Sequence, residues 1–324
     1  MQQLEGWLIV SASDLTGFLA CEHLTQLELM AARGEVERPS RSDPELDLLR
    51  RLGERHEKEH RALLSEPGRK IAVIDYDSST IAGLEKAEAD TLSAMRAGAD
   101  VVYQATFFET RTPGHEGAPA LAWRGHADFL LKCDRPSLLG DWSYEVADTK
   151  LARSVKAAAL LQMCSYSDQL TRLQGVMPAQ MHVVLGTKAV ESFKVRDFHA
   201  YYRTVKQRLE PAIGGDPVAT YPDPVEHCGT CRWLDVCTAK READDHLCLV
   251  AGMRRDQVRK LNGIGISTVI ELAGSSDGVA SGIGAHVLER LKRQAALQLR
   301  QRETEKVAYQ LVELDPPRGL AALP

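Results

Sequence analysis

Between residues 101 and 187 the chain alternates strand-like and helix-like stretches in an order that few architectures accommodate. VVYQATFF (101–108), LAWRGHADFLLKC (121–133) and SYEVADTKL (143–151) read as strands, SVKAAALLQMCSYSDQLTRL (154–173) as a buried helix, and QMHVVLGT (180–187) as a further strand. Upstream, residues 43–66 lack strand alternation, are rich in helix formers and repeat Leu46, Leu49, Leu52 and Leu63 at near-helical spacing, which predicts another helix. KIAVIDY (70–76) reads as a strand and residues 80–97 as a helix. The order helix, strands, helix, strand implies a mixed α/β sandwich. With 44% hydrophobic and 26% charged residues in 324, the chain falls among ordinary globular proteins, with room for a core of about 200 residues and an appendage.

Ionisable residues sit near the ends of two neighbouring strands. Asp128 lies in Gly125-His126-Ala127-Asp128 on one, and Glu145-Val146-Ala147-Asp148-Thr149-Lys150 forms the next. Residues two apart on a strand project from the same face, so Asp148 and Lys150 are expected to point together, with Asp128 brought beside them from the adjacent strand. Two carboxylates so placed suit one or two Mg2+ or Mn2+ ions, hard cations that prefer oxygen ligands. The lysine would orient or help deprotonate an attacking water, or stabilise charge on a phosphate. Glu145, at odd spacing from Asp148, faces the other way unless a bulge intervenes.

Four ordered motifs give this constellation a family resemblance. Gly53 and His56 lie on the helical segment, Gly125 and Asp128 form Gly-x-x-Asp, Asp148 and Lys150 form Asp-x-Lys, and Gln162 and Tyr166 form Gln-x-x-x-Tyr on one helix face. The set resembles the RecB-family branch of the PD-(D/E)xK nucleases. That resemblance implies a restriction-endonuclease-like mixed sheet flanked by helices. It implies a Mg2+- or Mn2+-dependent deoxyribonuclease, expected to be an exonuclease acting on single-stranded DNA or DNA ends, in DNA repair or phage defence. His56, Asp128 and Asp148 would hold the metal, while Gln162 and Tyr166 would support the site and contact DNA. The alternatives are an inactive DNA-binding scaffold within a larger helicase–nuclease, and a zinc metalloprotease. The protease reading comes from His56-Glu57-Lys58-Glu59-His60, which spells H-E-x-x-H but has charged flanks and no evident third ligand.

Cys228-x2-Cys231-x5-Cys237 supplies three thiolates, one short of a tetrahedral zinc or iron–sulfur site. Spacing alone permits zinc with His246 or Cys248 as the fourth ligand, or a cluster completed from elsewhere. Cys21, after Ser11-Ala12-Ser13-Asp14-Leu15-Thr16-Gly17-Phe18-Leu19-Ala20, resembles the opening of iron–sulfur RecB-like nucleases, including CRISPR-associated exonucleases and the AddB nuclease domain. The resemblance implies a 4Fe-4S cluster on Cys21, Cys228, Cys231 and Cys237. Cys133 and Cys164 fall inside strand and helix patterns and read as buried thiols.

The run GGDPVATYPDPVEH (214–227) reads as a linker, and residues 252–304 as helical apart from two Gly-Ile-Gly turns. Gly263-Ile264-Gly265 between helical stretches resembles a helix-hairpin-helix, whose glycines let backbone N–H groups approach DNA phosphate, with Lys260, Arg290, Lys292 and Arg293 as further phosphate contacts. A packing module that uses glycine as a helix C-cap fits the same residues. Net charge is −5, but residues 253–306 carry 10 basic and 6 acidic side chains against 12 and 19 in residues 1–100, which places the phosphate-facing surface towards the C-terminus. The expected organisation is a nuclease domain over 1–240 closed by the four cysteines, a helix-hairpin-helix-like module over 241–306, and a connector over 307–324 to a region not present. A helicase and an RNase-H-like exonuclease are the expected partners. No membrane-spanning run and no secretory signal pattern occur, so the expected location is the cytoplasm.

Overall fold

The computed structural model describes residues 1–40, 43–111, 120–276 and 282–311. They fall into two units, Met1–Thr220 and Tyr221–Pro324, divided within the Gly- and Pro-rich run read as a linker.

In the first unit the apolar runs assemble into a mixed sheet, eight-stranded among the described residues: β1 (Gln2–Leu4), β2 (Trp7–Ser11), β3 (Ile71–Val73), β4 (Val101–Arg111), β5 (Ala120–Cys133), β6 (Ser143–Lys150), β7 (Gln180–Leu185) and β8 (Val190–Lys194). The 14-residue β5 organises it. β4 runs antiparallel along one edge of β5, from Val101 opposite Leu131 to Arg111 opposite Leu121. The other edge is shared, with β2 pairing in parallel along Ala120–Arg124 and β6 antiparallel along Phe129–Cys133. Both partners run towards the middle of β5, and beyond Ala147 the strand β6 pairs only with β7. The sheet therefore forks over Gly125–Asp128.

Tyr166 occupies the fork. The backbone N–H of His126 donates to its hydroxyl, giving an amide at the unpaired edge a partner. A Cβ at position 125 would lie 3.0 Å from the tyrosine ring, so Gly-x-x-Asp begins with glycine because the ring packs against the strand backbone.

Among the described residues six helices flank the sheet in this unit: α1 (Ala12–Ala20), α2 (Glu22–Ala32), α3 (Pro44–Leu64), α4 (Ile81–Arg96), α5 (Ala157–Gln174) and α6 (Val195–Gly214). Leu15, Phe18, Leu29, Leu161, Leu170, Tyr202 and Leu209 from α1, α2, α5 and α6 pack with Phe107, Trp123, Leu130 and Val146 of the strands. On the opposite side Leu64 of α3 meets Tyr103, Phe129 and Ala147. α3 begins where the sequence signals it should, with Asp43 accepting from the amides of Glu45 and Leu46 at 3.0 and 3.3 Å and Pro44 as its first residue. Its leucine repeat is not its buried face, however. Leu46, Leu49 and Leu63 are exposed, and the buried residue of this helix is His56.

The second unit holds α7 (Leu234–Ala243), followed by α8 (Arg255–Asn262), α9 (Val269–Ala273) and α10 (Ala285–Thr304), the last three packed around Leu247, Leu261, Val269, Leu272, Leu288 and Leu291. Gly263-Ile264-Gly265 forms an exposed turn between α8 and α9, in which Gly265 takes φ +84°. Thr268 and Glu271 then exchange hydrogen bonds that cap α9, at 3.1 and 3.0 Å. The second Gly-Ile-Gly leads into α10, and Lys260 donates to the carbonyl of Gly282 at 3.0 Å, linking the two turns. Of the expected connector over 307–324, residues 312–324 lie outside the described residues. No helix among the described residues is long and apolar enough to cross a membrane.

Candidate active site

Asp128 stands at the fork, where β6 leaves β5. Its Oδ2 accepts from the backbone N–H of Thr149 at 2.8 Å and from the Thr149 hydroxyl at 2.7 Å. Hydrogen bonds to a carboxylate stabilise by on the order of 1.5–3 kcal/mol each, so this pair locks the rotamer of Asp128 and tethers the end of β6. The other oxygen, Oδ1, carries no hydrogen bond among the described residues.

Asp148 and Lys150 point together and form an ion pair. Asp148 is 2% exposed, and burial, reinforced by the charge of nearby Asp128, raises its pKa far above the ordinary carboxylate range, with Lys150 opposing the shift. Burial would lower the pKa of Lys150, but the charge and hydrogen bond of Asp148 override it and hold the ammonium protonated. Glu145 turns away, as its odd spacing predicts. It pairs with His182 at 3.0 Å and accepts from the amide of Gln180 at 2.9 Å.

A third carboxylate joins the group. Glu57, read in the sequence only as part of H-E-x-x-H, reaches from α3 to accept hydrogen bonds from Gln104 and Tyr103. Burial and then the charge of Asp128 raise its pKa, and its own charge is felt at Asp148 and Lys150. Gln104 sits within β4 at φ +59°, a left-handed conformation that a non-glycine residue in a strand adopts only under constraint. No sequence pattern pairs the two, because their meeting depends on where α3 crosses the sheet.

His56 is buried beside them, with Nε2 3.3 Å from the carbonyl of Val184 and no hydrogen bond or ion pair to Asp128 or Asp148. A ring fixed at one nitrogen by a carbonyl presents the other in a set direction, as metal-binding histidines do. His60 packs edge-on against Phe129 at 5.2 Å, and burial together with the His56 ring lowers its pKa. Gln162 donates to the hydroxyl of Tyr166 at 2.7 Å, so the pair predicted to share a helix face does meet. Tyr166 is 6% exposed and braces the strand rather than presenting an open surface.

Among the described residues no group of three or more His, Cys, Asp or Glu side chains is gathered closely enough to enclose a metal ion. Two carboxylates with free oxygens suit Mg2+, which keeps several waters and binds through one or two carboxylates plus substrate phosphate. Cys21 belongs to the first unit and Cys228, Cys231 and Cys237 to the second, and all four are of intermediate exposure. Amides point at two of the sulfurs, Leu24 at Cys21 over 3.4 Å and Val225 at Cys228 over 3.3 Å. Of the other cysteines, Cys164 is buried, its thiol pushed up to about 12 by burial, whereas Cys133 at the end of β5 is only half-buried and lies 3.1 Å from the Ser143 hydroxyl. His246 accepts from the amide of Cys248 at 3.2 Å. Among the expected DNA contacts, Gly263, Gly265, Arg290 and Arg293 are exposed, Lys292 is half-buried, Lys260 is taken up by Gly282, and Arg293 pairs with Glu289 at 3.6 Å.

No protein-family model and no curated protein matches the chain. Among solved structures, that of SSO0001 aligns with 72% of this chain and 87% of its own at 12% identity and a TM-score of 0.35, a likeness too distant to inform fold or function.

The raised pKa of Asp148 has a consequence for stability. A carboxyl whose folded pKa lies above its unfolded value favours the folded state while protonated, and that contribution is lost as pH rises from the ordinary carboxylate range through the folded pKa. Without divalent ions, the melting temperature of the parent should fall across that window more steeply than that of Asp148→Asn. Parallel curves would show that Asp148 ionises normally.

Proposed function

We propose that this chain is a divalent-metal-dependent deoxyribonuclease whose first unit has a restriction-endonuclease-like core. The observation that carries the proposal is the meeting of Asp128, Asp148 and Lys150 at a fork in the sheet, with Glu57 and His56 beside them on α3. Three acidic side chains this close repel one another, and Lys150 offsets only part of their charge. A divalent cation removes the repulsion, and when bound it stabilises negative charge developing on a phosphate. Asp128, fixed by Thr149, presents its free Oδ1, Asp148 presents its own, and Glu57 is positioned by Gln104 and Tyr103. With a cation on Asp148, the Lys150 ammonium would be available to orient a water or to hold a phosphate oxygen. Tyr166 and Gln162 keep the strand bearing Asp128 in place.

In the same reading, Cys21, Cys228, Cys231 and Cys237 hold a 4Fe-4S cluster of mainly structural role. The amides aimed at Cys21 and Cys228 are hydrogen-bond donors of the kind that cluster-ligating sulfurs accept. The exposed Gly-Ile-Gly turn between α8 and α9 contacts DNA backbone, and a helicase or RNase-H-like exonuclease acts in the same polypeptide or complex.

Labelled single- and double-stranded DNA incubated with Mg2+ or Mn2+ tests the activity. The parent should cut, and Asp148→Ala and Lys150→Ala should cut at least about 100-fold more slowly while remaining folded. DNA binding without cleavage in either metal would identify a scaffold instead. Anaerobic purification with an absorbance spectrum and metal count tests the cluster. About four irons per chain are expected, and one zinc with no iron would replace the cluster with a structural zinc site.

A further inference from the structure

Where β2 and β6 end, the fork opens into a cavity of about 270 Å³ that none of the proposed metal ligands lines. Its wall is built from the start of α1, the segment between β6 and α5, and the first turns of α5. The polar groups facing it are Ser13, Thr16, Lys150, Ser154, Lys156 and Gln162, and the remainder are alanines and one valine. It has two ammonium groups, three hydroxyls and an amide, and no carboxylate. The segment between β6 and α5 is held in place, since Gly186 donates to the carbonyl of Ala152 at 3.2 Å and its Cα passes too close to Leu151 for any larger residue.

The two lysines differ. Lys150 is committed to Asp148, whereas the side chain of Lys156 makes no hydrogen bond or ion pair with any described residue, and neither does that of Ser154. An ammonium without an acidic partner, beside a largely apolar recess that also carries three hydroxyls and an amide, attracts an oxyanion. Lys150 belongs both to this recess and to the carboxylate group, so an anion held here lies next to the proposed reacting phosphate.

We propose that this cavity is a phosphate subsite that binds the phosphate of the nucleotide adjoining the one cleaved, with Lys156 as its principal cation. The proposal takes its substrate class from the nuclease reading. The phosphate is either a terminal monoester or an internal phosphodiester of the same strand.

The test is binding, measured by fluorescence anisotropy in EDTA across a range of salt concentrations, where cleavage plays no part and Lys150 stays with Asp148. The probes are a short labelled oligothymidylate bearing a 5′-phosphate, a 3′-phosphate or neither. Lys156 is exposed and makes no side-chain cap at α5, so Lys156→Ala keeps the fold. It should weaken binding roughly three- to ten-fold and reduce the salt slope by about 0.7, and Lys156→Arg should restore both. Tighter binding of one phosphorylated probe assigns the cavity to that terminal monoester, and equal binding of all three assigns it to an internal phosphodiester. Unchanged affinity and slope in Lys156→Ala on every probe overturns the subsite. If the parent cuts DNA while Lys156→Ala binds like the parent, the subsite alone fails. If binding depends on Lys156 but the parent never cuts, the nuclease reading fails and the cavity stands only as a nucleic-acid phosphate site.

Discussion

The two hydrogen bonds from Thr149 to Asp128 join β5 and β6 at the point where their ladder stops. Regular pairing ends at Phe129 and Ala147, and beyond it the contact runs from the backbone and hydroxyl of Thr149, two residues on, to the side chain of Asp128, one residue on. Without that tether the end of β6 would be held on β7 alone, and Asp148 and Lys150 would lose their register against Asp128. The carboxylate group, the cavity beside it and the first turn of α5 all depend on this junction.

The junction concentrates negative charge in a place that water reaches poorly. Asp148 is buried, Asp128 is beside it, and Glu57 is delivered by a helix whose one buried side chain is a histidine. A purely structural site would be expected to pair such charges or replace them with apolar groups, because uncompensated buried ions are costly. Here one lysine faces three acids, and a strained Gln104 positions one of them. Strain and unbalanced charge retained together fit the proposal that the site takes up a cation.

Much of this was legible in the residues. Alternating runs located β4 to β7 and α5, and the two-residue spacing of Asp148 and Lys150 placed them on one face because strand geometry is local. Gly125 was visible only as the first residue of Gly-x-x-Asp, and the packing of Tyr166 against it was not. The short strands β1 and β2, the edge strand β8 and the helix α6 gave weaker signals, since Pro211 lies within α6 and Glu191 and Lys194 dilute the apolar pattern of β8. Glu57 and Gln104 were hidden for a different reason. They lie 47 positions apart, and only the crossing of α3 over β4 brings them together. The leucines of α3 show the reverse case, a periodic signal that identified the helix correctly although Leu46, Leu49 and Leu63 lie exposed.

Direct titration of metal-free protein with Mn2+, followed by calorimetry and by the electron paramagnetic resonance of free Mn2+, tests the central claim that the carboxylates converge to bind a divalent cation. The parent should bind Mn2+ in competition with Mg2+, and Asp128→Asn and Asp148→Asn should each lose at least about ten-fold in affinity while keeping the parent's circular dichroism. Equal Mn2+ affinity in parent and both variants would show that the fork holds no metal, and the account of the site would be wrong.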